Sequence, residues 1–240
     1  MMDTASERHA EAHGHRHRDV SGGRLRPAVF GAMDGLVTNV SLIAGVGGGG
    51  GSPHTLVLTG LAGLAAGAFS MAAGEYVSVA SQNELVAAEV RKERQELETH
   101  PEAERRELAA MFRSRGVDAE LADQVAMQVS AHPEEALAVH VREELGVDHQ
   151  ELPSPVVAAA TSLLTFAAGA LIPLLPYLAG LGSLAATLII SAVAAVAGGG
   201  LVARVTDRPV AQGAIRQLLL AAVAAGLTYG IGSLVGAIVS

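Results

Sequence analysis

Thr55-Leu-Val-Leu-Thr-Gly-Leu-Ala-Gly-Leu-Ala-Ala-Gly-Ala-Phe-Ser-Met71-Ala-Ala-Gly-Glu75-Tyr-Val-Ser-Val-Ala80 holds one charged side chain in 26 residues. A helix needs roughly 20 apolar residues to cross about 30 Å of hydrocarbon, so this stretch is long enough to span a bilayer. Three further apolar regions flank it. Residues 29–51 carry only Asp34, and residues 156–203 and 218–240 carry no charge at all. Residues 156–203 are long enough for two spans, and the glycines of Tyr177-Leu-Ala-Gly-Leu-Gly-Ser183 supply the turn between them. The pattern predicts an all-α membrane protein with five transmembrane helices and a helical insert between helices 2 and 3.

Composition agrees with that reading. Of 240 residues, 50% are hydrophobic and only 3% aromatic, and the mean hydropathy is +0.38. Alanine, leucine, valine and glycine dominate, which suits helices packed closely in lipid. The absence of cysteine excludes a disulfide scaffold, a thiolate zinc site, an iron–sulfur cluster and a cysteine nucleophile. Any metal must therefore use oxygen, imidazole or thioether ligands. No nucleotide-binding loop and no nucleophile with a neighbouring base is present, so an enzyme is not expected, nor is a nucleic-acid partner or a prosthetic group. A ferritin-like oxidase would need Glu-x-x-His pairs, which His132 and His140 do not supply.

The bases orient the chain. All 16 lie before the first span, between spans two and three, or between spans four and five. Positive charge marks the cytoplasmic side, so the N-terminus and the insert are expected in the cytoplasm and the C-terminus outside. Arginine accounts for 15 of the 16, a bias that suggests a GC-rich bacterial genome and hence a bacterial plasma membrane. The first apolar run is followed at once by a second span and lacks a cleavage site, so it is not expected to be a removable signal. The resulting division is a His-rich tail over 1–24, helices 1 and 2 over 25–80, an acidic insert over 81–152, and helices 3 to 5 over 153–240.

The formal net charge of -8 is concentrated in the insert, where 17 acids face 8 bases. Pro101 and Pro133 suit first-turn positions, Asp118 an N-cap, and Gly116 and Gly146 helix stops. These marks predict a helix continuing from span two to about residue 97, then helices over 102–115, 119–130 and 134–145. Glu89, Glu93 and Glu96 share one face of the first, and Glu104 with Glu107 one face of the second. Spacing alone leaves two readings open: a solvated acidic face offset by Arg91, Arg94, Arg105 and Arg106, or a site whose repulsion a bound cation removes.

Asp34 and Glu75 are the charges inside the spans, and each costs roughly 2.5 to 3.5 kcal/mol or more near the bilayer centre. Asp34 lies about 12 Å in from Arg26, while Glu75 and Met71 lie about 9 and 15 Å in from Ser81, at about 1.5 Å per residue. In antiparallel spans the three arrive at similar depth. Met71 and Glu75 stand one turn apart, and carboxylate with thioether suits a borderline ion such as Fe2+ better than Ca2+ or Mg2+. Thr38, Asn39, Ser70 and Ser78 could add oxygen ligands. The competing reading makes Met71 a packing residue and Asp34 a hydrogen-bond partner inside its helix.

Phe30-Gly-Ala-Met-Asp34-Gly-Leu-Val-Thr38-Asn, Gly67-Ala-Phe-Ser-Met71-Ala-Ala-Gly-Glu75-Tyr-Val-Ser78 and Ala170-Leu-Ile-Pro173-Leu-Leu-Pro176-Tyr together resemble the vacuolar iron transporter family. The likeness continues through Glu84 and the acidic insert, and covers almost the whole chain from about residue 24. It implies a homodimer in the lipid bilayer, five spans per subunit, moving Fe2+ and sometimes Mn2+ out of the cytosol in exchange for protons. The resemblance assigns Asp34, Met71 and Glu75 to the transport path. It assigns metal binding in the insert to Glu93 with Glu96, Glu104 with Glu107, and Glu144. Where plant members have adjacent methionines, this chain has His140 and Val141, so His140 would replace a thioether with imidazole one turn before Glu144. That exchange bears on the choice among Fe2+, Mn2+, Zn2+ and Co2+. From another class comes the reading of a membrane-anchored metal sensor or buffer through which nothing crosses. His9, His13, His15 and His17 are either weak metal collectors or a tail without specific role. The pairs Gly63/Gly67, Gly226/Gly230 and Gly232/Gly236 allow close helix approach.

Overall fold

Ser52, Asp118, Ser154 and Ser183 each stand just before a helix and accept a hydrogen bond from a backbone N–H of its first turn. Proline occupies the first turn after Ser52, His100, His132 and Ser154, where a missing N–H costs nothing. In the computed structural model, which describes residues 25–239, these marks begin the helices of an all-helical chain. They are α1 (Leu25–Gly48), α2 (Pro53–Thr99), α3 (Pro101–Ser114), α4 (Ala119–Ser130), α5 (Pro133–Leu145), α6 (Pro155–Leu171), α7 (Leu175–Leu178), α8 (Leu184–Val205) and α9 (Val210–Val239). The His-rich tail lies outside the described residues.

Among the described residues five helical stretches are long and apolar enough to cross a membrane: α1, the first part of α2, α6 with α7, α8, and α9. Their outward faces carry large exposed apolar side chains such as Phe69, Leu201, Ile231 and Leu234, as lipid contact requires. The apolar part of α2 ends near Ala80. Its remaining residues continue unbroken as a charged rod, against which α3 and α5 pack. Helices α3 and α4, with Val139 of α5, close a small core of Leu108, Ala109 and Ala126 with Phe112 and Val129.

Helix α1 is the centre of the membrane part and packs on α6, α9, α2 and α8. Glycine makes this possible. A Cβ at Gly35 would overlap the Phe166 carbonyl of α6, and one at Gly169 would overlap the Ala32 carbonyl of α1. Backbones this close gain packing that lipid cannot replace. The Phe166 ring also fills the space a Cβ on Gly67 would take, so α1, α2 and α6 meet in one layer.

Prolines 173 and 176 interrupt the third span, which passes through a 3₁₀ turn (Ile172–Leu174) between α6 and α7. In hydrocarbon a freed carbonyl must be satisfied by protein. Asn39 of α1 donates through Nδ2 to the Ala170 carbonyl at 2.5 Å, and Thr187 of α8 donates to the Pro173 carbonyl at 3.0 Å. Both side chains are fully buried. The kink is thus held by two neighbouring helices.

Candidate metal centre

Three helices of the insert converge on one imidazole. His140 is completely buried on α5, and its Nδ1 lies 3.1 Å from Glu93 Oε1 of α2 and 3.8 Å from Glu104 Oε2 of α3. Glu144, one turn further along α5, brings Oε1 to 3.3 Å from the same nitrogen. The ligand atoms of Glu93, Glu104 and His140 all lie within 4.8 Å of one another. Glu93 and Glu104 are themselves buried, which carboxylates tolerate when paired, coordinated or protonated.

One ring proton cannot serve three carboxylates. The hydrogen-bond geometry at Nδ1 is met by Glu144, while Glu93 Oε1 is buried without a hydrogen bond, as is His140 Nε2. Burial, followed by the charge on Glu144, pushes the Glu93 carboxyl from 4.5 up to about 7; His140 opposes the rise, while Glu104 and Glu96 add to it. Glu104 is raised as well, by burial and then by Glu107, with His140 again opposing. Proton retention by crowded, dehydrated carboxylates is the usual alternative to binding a cation. Beside the cluster a cavity of about 40 Å³ is lined by Glu89, Glu93, Glu96 and Glu144, with Lys92, Val141 and Leu145, and it exceeds the roughly 10–15 Å³ that a water needs.

The remaining predicted insert ligands lie at the edge. Glu96 lines the cavity but is half exposed and sits 3.8 Å from Lys92 Nζ. Glu107 is exposed on α3, and reaches the cluster through its charge on Glu104. Glu89, which shares a helix face with Glu93 and Glu96 but is not among the predicted ligands, lines the same cavity. Arg94, Arg105 and Arg106 pair away from the cluster, Arg106 with the Glu102 carbonyl. Arg94 forms two hydrogen bonds to Glu134, clamping α5 to α2, and Arg105 pairs with Glu102.

In the membrane part, Asp34 is half buried and accepts a hydrogen bond from Thr38 Oγ1 at 3.4 Å. Thr38 also lines an open apolar groove of about 910 Å³ between α1 and α9, together with Ser41, Gly45 and Thr228. Met71 packs against Ala68, Phe166 and Ala170, so its packing role is real. Glu75 is half buried one turn further on, without a hydrogen bond or ion pair among the described residues. Gly35 and Gly67 meet the same Phe166, which brings Asp34 and Met71 to neighbouring levels of the bundle. Among the described residues no hydrogen bond or ion pair joins Asp34, Met71 and Glu75. The glycine pairs divide by role: Gly63 and Gly67 face α1 and α6, Gly232 and Gly236 face the end of α1, and Gly226 and Gly230 face open space.

Fold and cluster together define a helical integral membrane protein with a candidate divalent-metal centre in its insert. A model of the VIT family matches residues 25–233, and the chain belongs to that family. Over 164 residues it is 40% identical to a protein of Acanthamoeba castellanii named vacuolar iron transporter, a match covering 68% of this chain and 59% of that one. It is 34% identical over 218 residues to vacuolar iron transporter homolog 1 of Oryza sativa subsp. japonica, covering 88% and 74% of the two chains. With vacuolar iron transporter 1 of Eucalyptus grandis the identity is 26% over 228 residues, covering 94% and 90%.

Proposed function

We propose that the protein is a transporter moving Fe2+, and also Mn2+, out of the cytosol in exchange for protons. It works as a homodimer in a bacterial plasma membrane, with the N-terminus and insert in the cytoplasm. Glu93, Glu96, Glu104, Glu107, Glu144 and His140 collect the ion, and Asp34, Met71 and Glu75 line its path across the bilayer. The observation that carries this reading is the burial of Glu93 and Glu104 against His140 in a chain whose relatives are named iron transporters. A solvated acidic face would leave those carboxylates in water.

Chemically, the two parts have different tasks. The insert offers oxygen and imidazole donors to an ion entering from water, whereas Asp34 and Glu75 offer single carboxylates in the bundle. A carboxylate that holds either a proton or a cation is the minimum apparatus for exchange. Proteoliposomes containing a metal-sensitive dye test the path. Fe2+ uptake should run with proton counter-flow and be lost in Asp34→Ala and Glu75→Ala; unchanged uptake in both variants overturns the assignment. Metal binding without turnover would instead make the protein a membrane-anchored sensor or buffer.

A further inference from the structure

We infer that His140 sets the metal preference of the insert cluster, making it favour ions that bind imidazole strongly over Mn2+, Mg2+ and Ca2+. The inference rests on the proposed role of the cluster as a metal collector, and adds which ions it collects. Its basis is the placement of one nitrogen among oxygens: Nδ1 lies 3.1, 3.3 and 3.8 Å from Glu93, Glu144 and Glu104. An ion drawn to those carboxylates meets Nδ1 with them, because the ring is completely buried and packed among α2, α3 and α5.

An all-carboxylate site would treat small divalent ions according to charge and size, and hard Mg2+ and Ca2+ would compete in it. Replacing one oxygen by imidazole widens the gap between ions, because imidazole suits Fe2+, Co2+ and Zn2+, whereas carboxylate oxygen suits Mg2+, Ca2+ and Mn2+. The ring must offer its Nδ1 lone pair, so its remaining proton sits on Nε2. In the empty cluster the carboxylates, as acceptors, hold the proton on Nδ1; a bound ion takes its place there and leaves the proton on Nε2, which is buried with no hydrogen-bond partner of its own. The surroundings also limit the alternatives. Lys92 lines the neighbouring cavity and pairs with Glu96 at 3.8 Å, and Arg94 is held by Glu134, so neither forms an ion pair with Glu93, Glu104 or Glu144.

The test compares Co2+ and Mn2+ binding to the detergent-purified full chain, with His9, His13, His15 and His17 replaced by asparagine in every sample so that the tail contributes no imidazole. Competition titration should show that His140→Gln lowers the ratio of Co2+ to Mn2+ affinity about tenfold or more, since removing even a group that only orients a ligand costs about 10–100-fold in affinity. A double variant, Glu93→Gln with Glu104→Gln, should lose both ions. X-ray absorption of the Co2+-loaded protein with His140 intact should carry the multiple-scattering signature of imidazole. This measurement stands even where His140→Gln fails to fold. An unchanged Co2+ to Mn2+ ratio in a folded His140→Gln, or Co2+ bound without imidazole, overturns the inference and leaves the collecting role intact. Undiminished binding in the double glutamine variant overturns both.

Discussion

Lowering the pH from 8 to 6 should weaken divalent-metal binding to the insert by about tenfold through Glu93 alone. Its carboxyl is raised from 4.5 to about 7, first by burial and then by the neighbouring Glu144 charge. A carboxylate must be ionised to bind a cation, so the apparent affinity scales with its ionised fraction. That fraction is about nine-tenths at pH 8 and one-tenth at pH 6, a factor of about ten, or about 1.4 kcal/mol. The sign for the metal-free fold is opposite. A folded value above the unfolded one means that Glu93 stabilises the insert fully below pH 4.5, and that this contribution is lost as pH rises through about 7. A bound ion therefore stabilises the insert most above pH 7, where the empty cluster is most repulsive. Glu104 is shifted in the same direction, first by burial and then by Glu107. Co2+ titrations of the purified protein at pH 6, 7 and 8 against a chromogenic competitor measure the slope. Glu93→Gln should bind more weakly and show a shallower slope. An affinity constant within twofold across that range, or an equal slope in Glu93→Gln, would refute the coupling.

Packing predictions concern the membrane part. Gly35→Ala or Gly169→Ala forces a methyl into a facing carbonyl and should cost roughly 1–3 kcal/mol, seen as a lower Tm in detergent. Gly226→Ala, where nothing lies within 4 Å, should leave Tm unchanged, and an equal loss at all three sites would contradict the packing argument. Asn39→Ala strips the Ala170 carbonyl of its side-chain donor and should cost about 1–3 kcal/mol, whereas Thr228→Ala, whose hydroxyl bonds only within its own helix, should be near neutral by the same measurement.

Helix ends were legible in the sequence because small chemical marks fix them. Helix α4 runs Ala119–Ser130 as expected, opened by Asp118, and Gly146 takes the left-handed conformation that ends α5. Apolar run lengths were a poorer guide. The last run begins at residue 218, but α9 begins at Val210, because nothing after Pro209 breaks a helix and Gln212, Arg216 and Gln217 are compatible with one. The first run extends to residue 51, yet α1 stops at Gly48, where consecutive glycines release the chain and Gly50 turns at φ 81°. Shared faces in the candidate cluster were legible, but depth was not. A spacing of three or four residues puts Glu93 with Glu96, and Glu104 with Glu107, on shared faces, but does not say which member turns inward. That is decided by the docking of α5, whose His140 meets Glu93 and Glu104 while Glu107 remains exposed.

The continuity of α2 constrains any route between the two sets of carboxylates. Glu75 and Glu93 lie on one helix, Pro53–Thr99, with neither glycine nor proline between them. Eighteen residues make five turns, so both project from the same face about 27 Å apart at about 1.5 Å per residue. Asn83 further ties the rod to the chain entering α6, donating through Nδ2 to the Pro153 carbonyl at 2.9 Å. A straight rod without a hinge cannot bring Glu93 down to Glu75 by bending. An ion that binds the insert cluster and then the membrane carboxylates, as proposed, must therefore travel along α2 rather than be carried by it. Ser78, Gln82 and Glu89 recur near that face, the first two exposed and the third half buried, so polar oxygen is available at intervals of one to two turns.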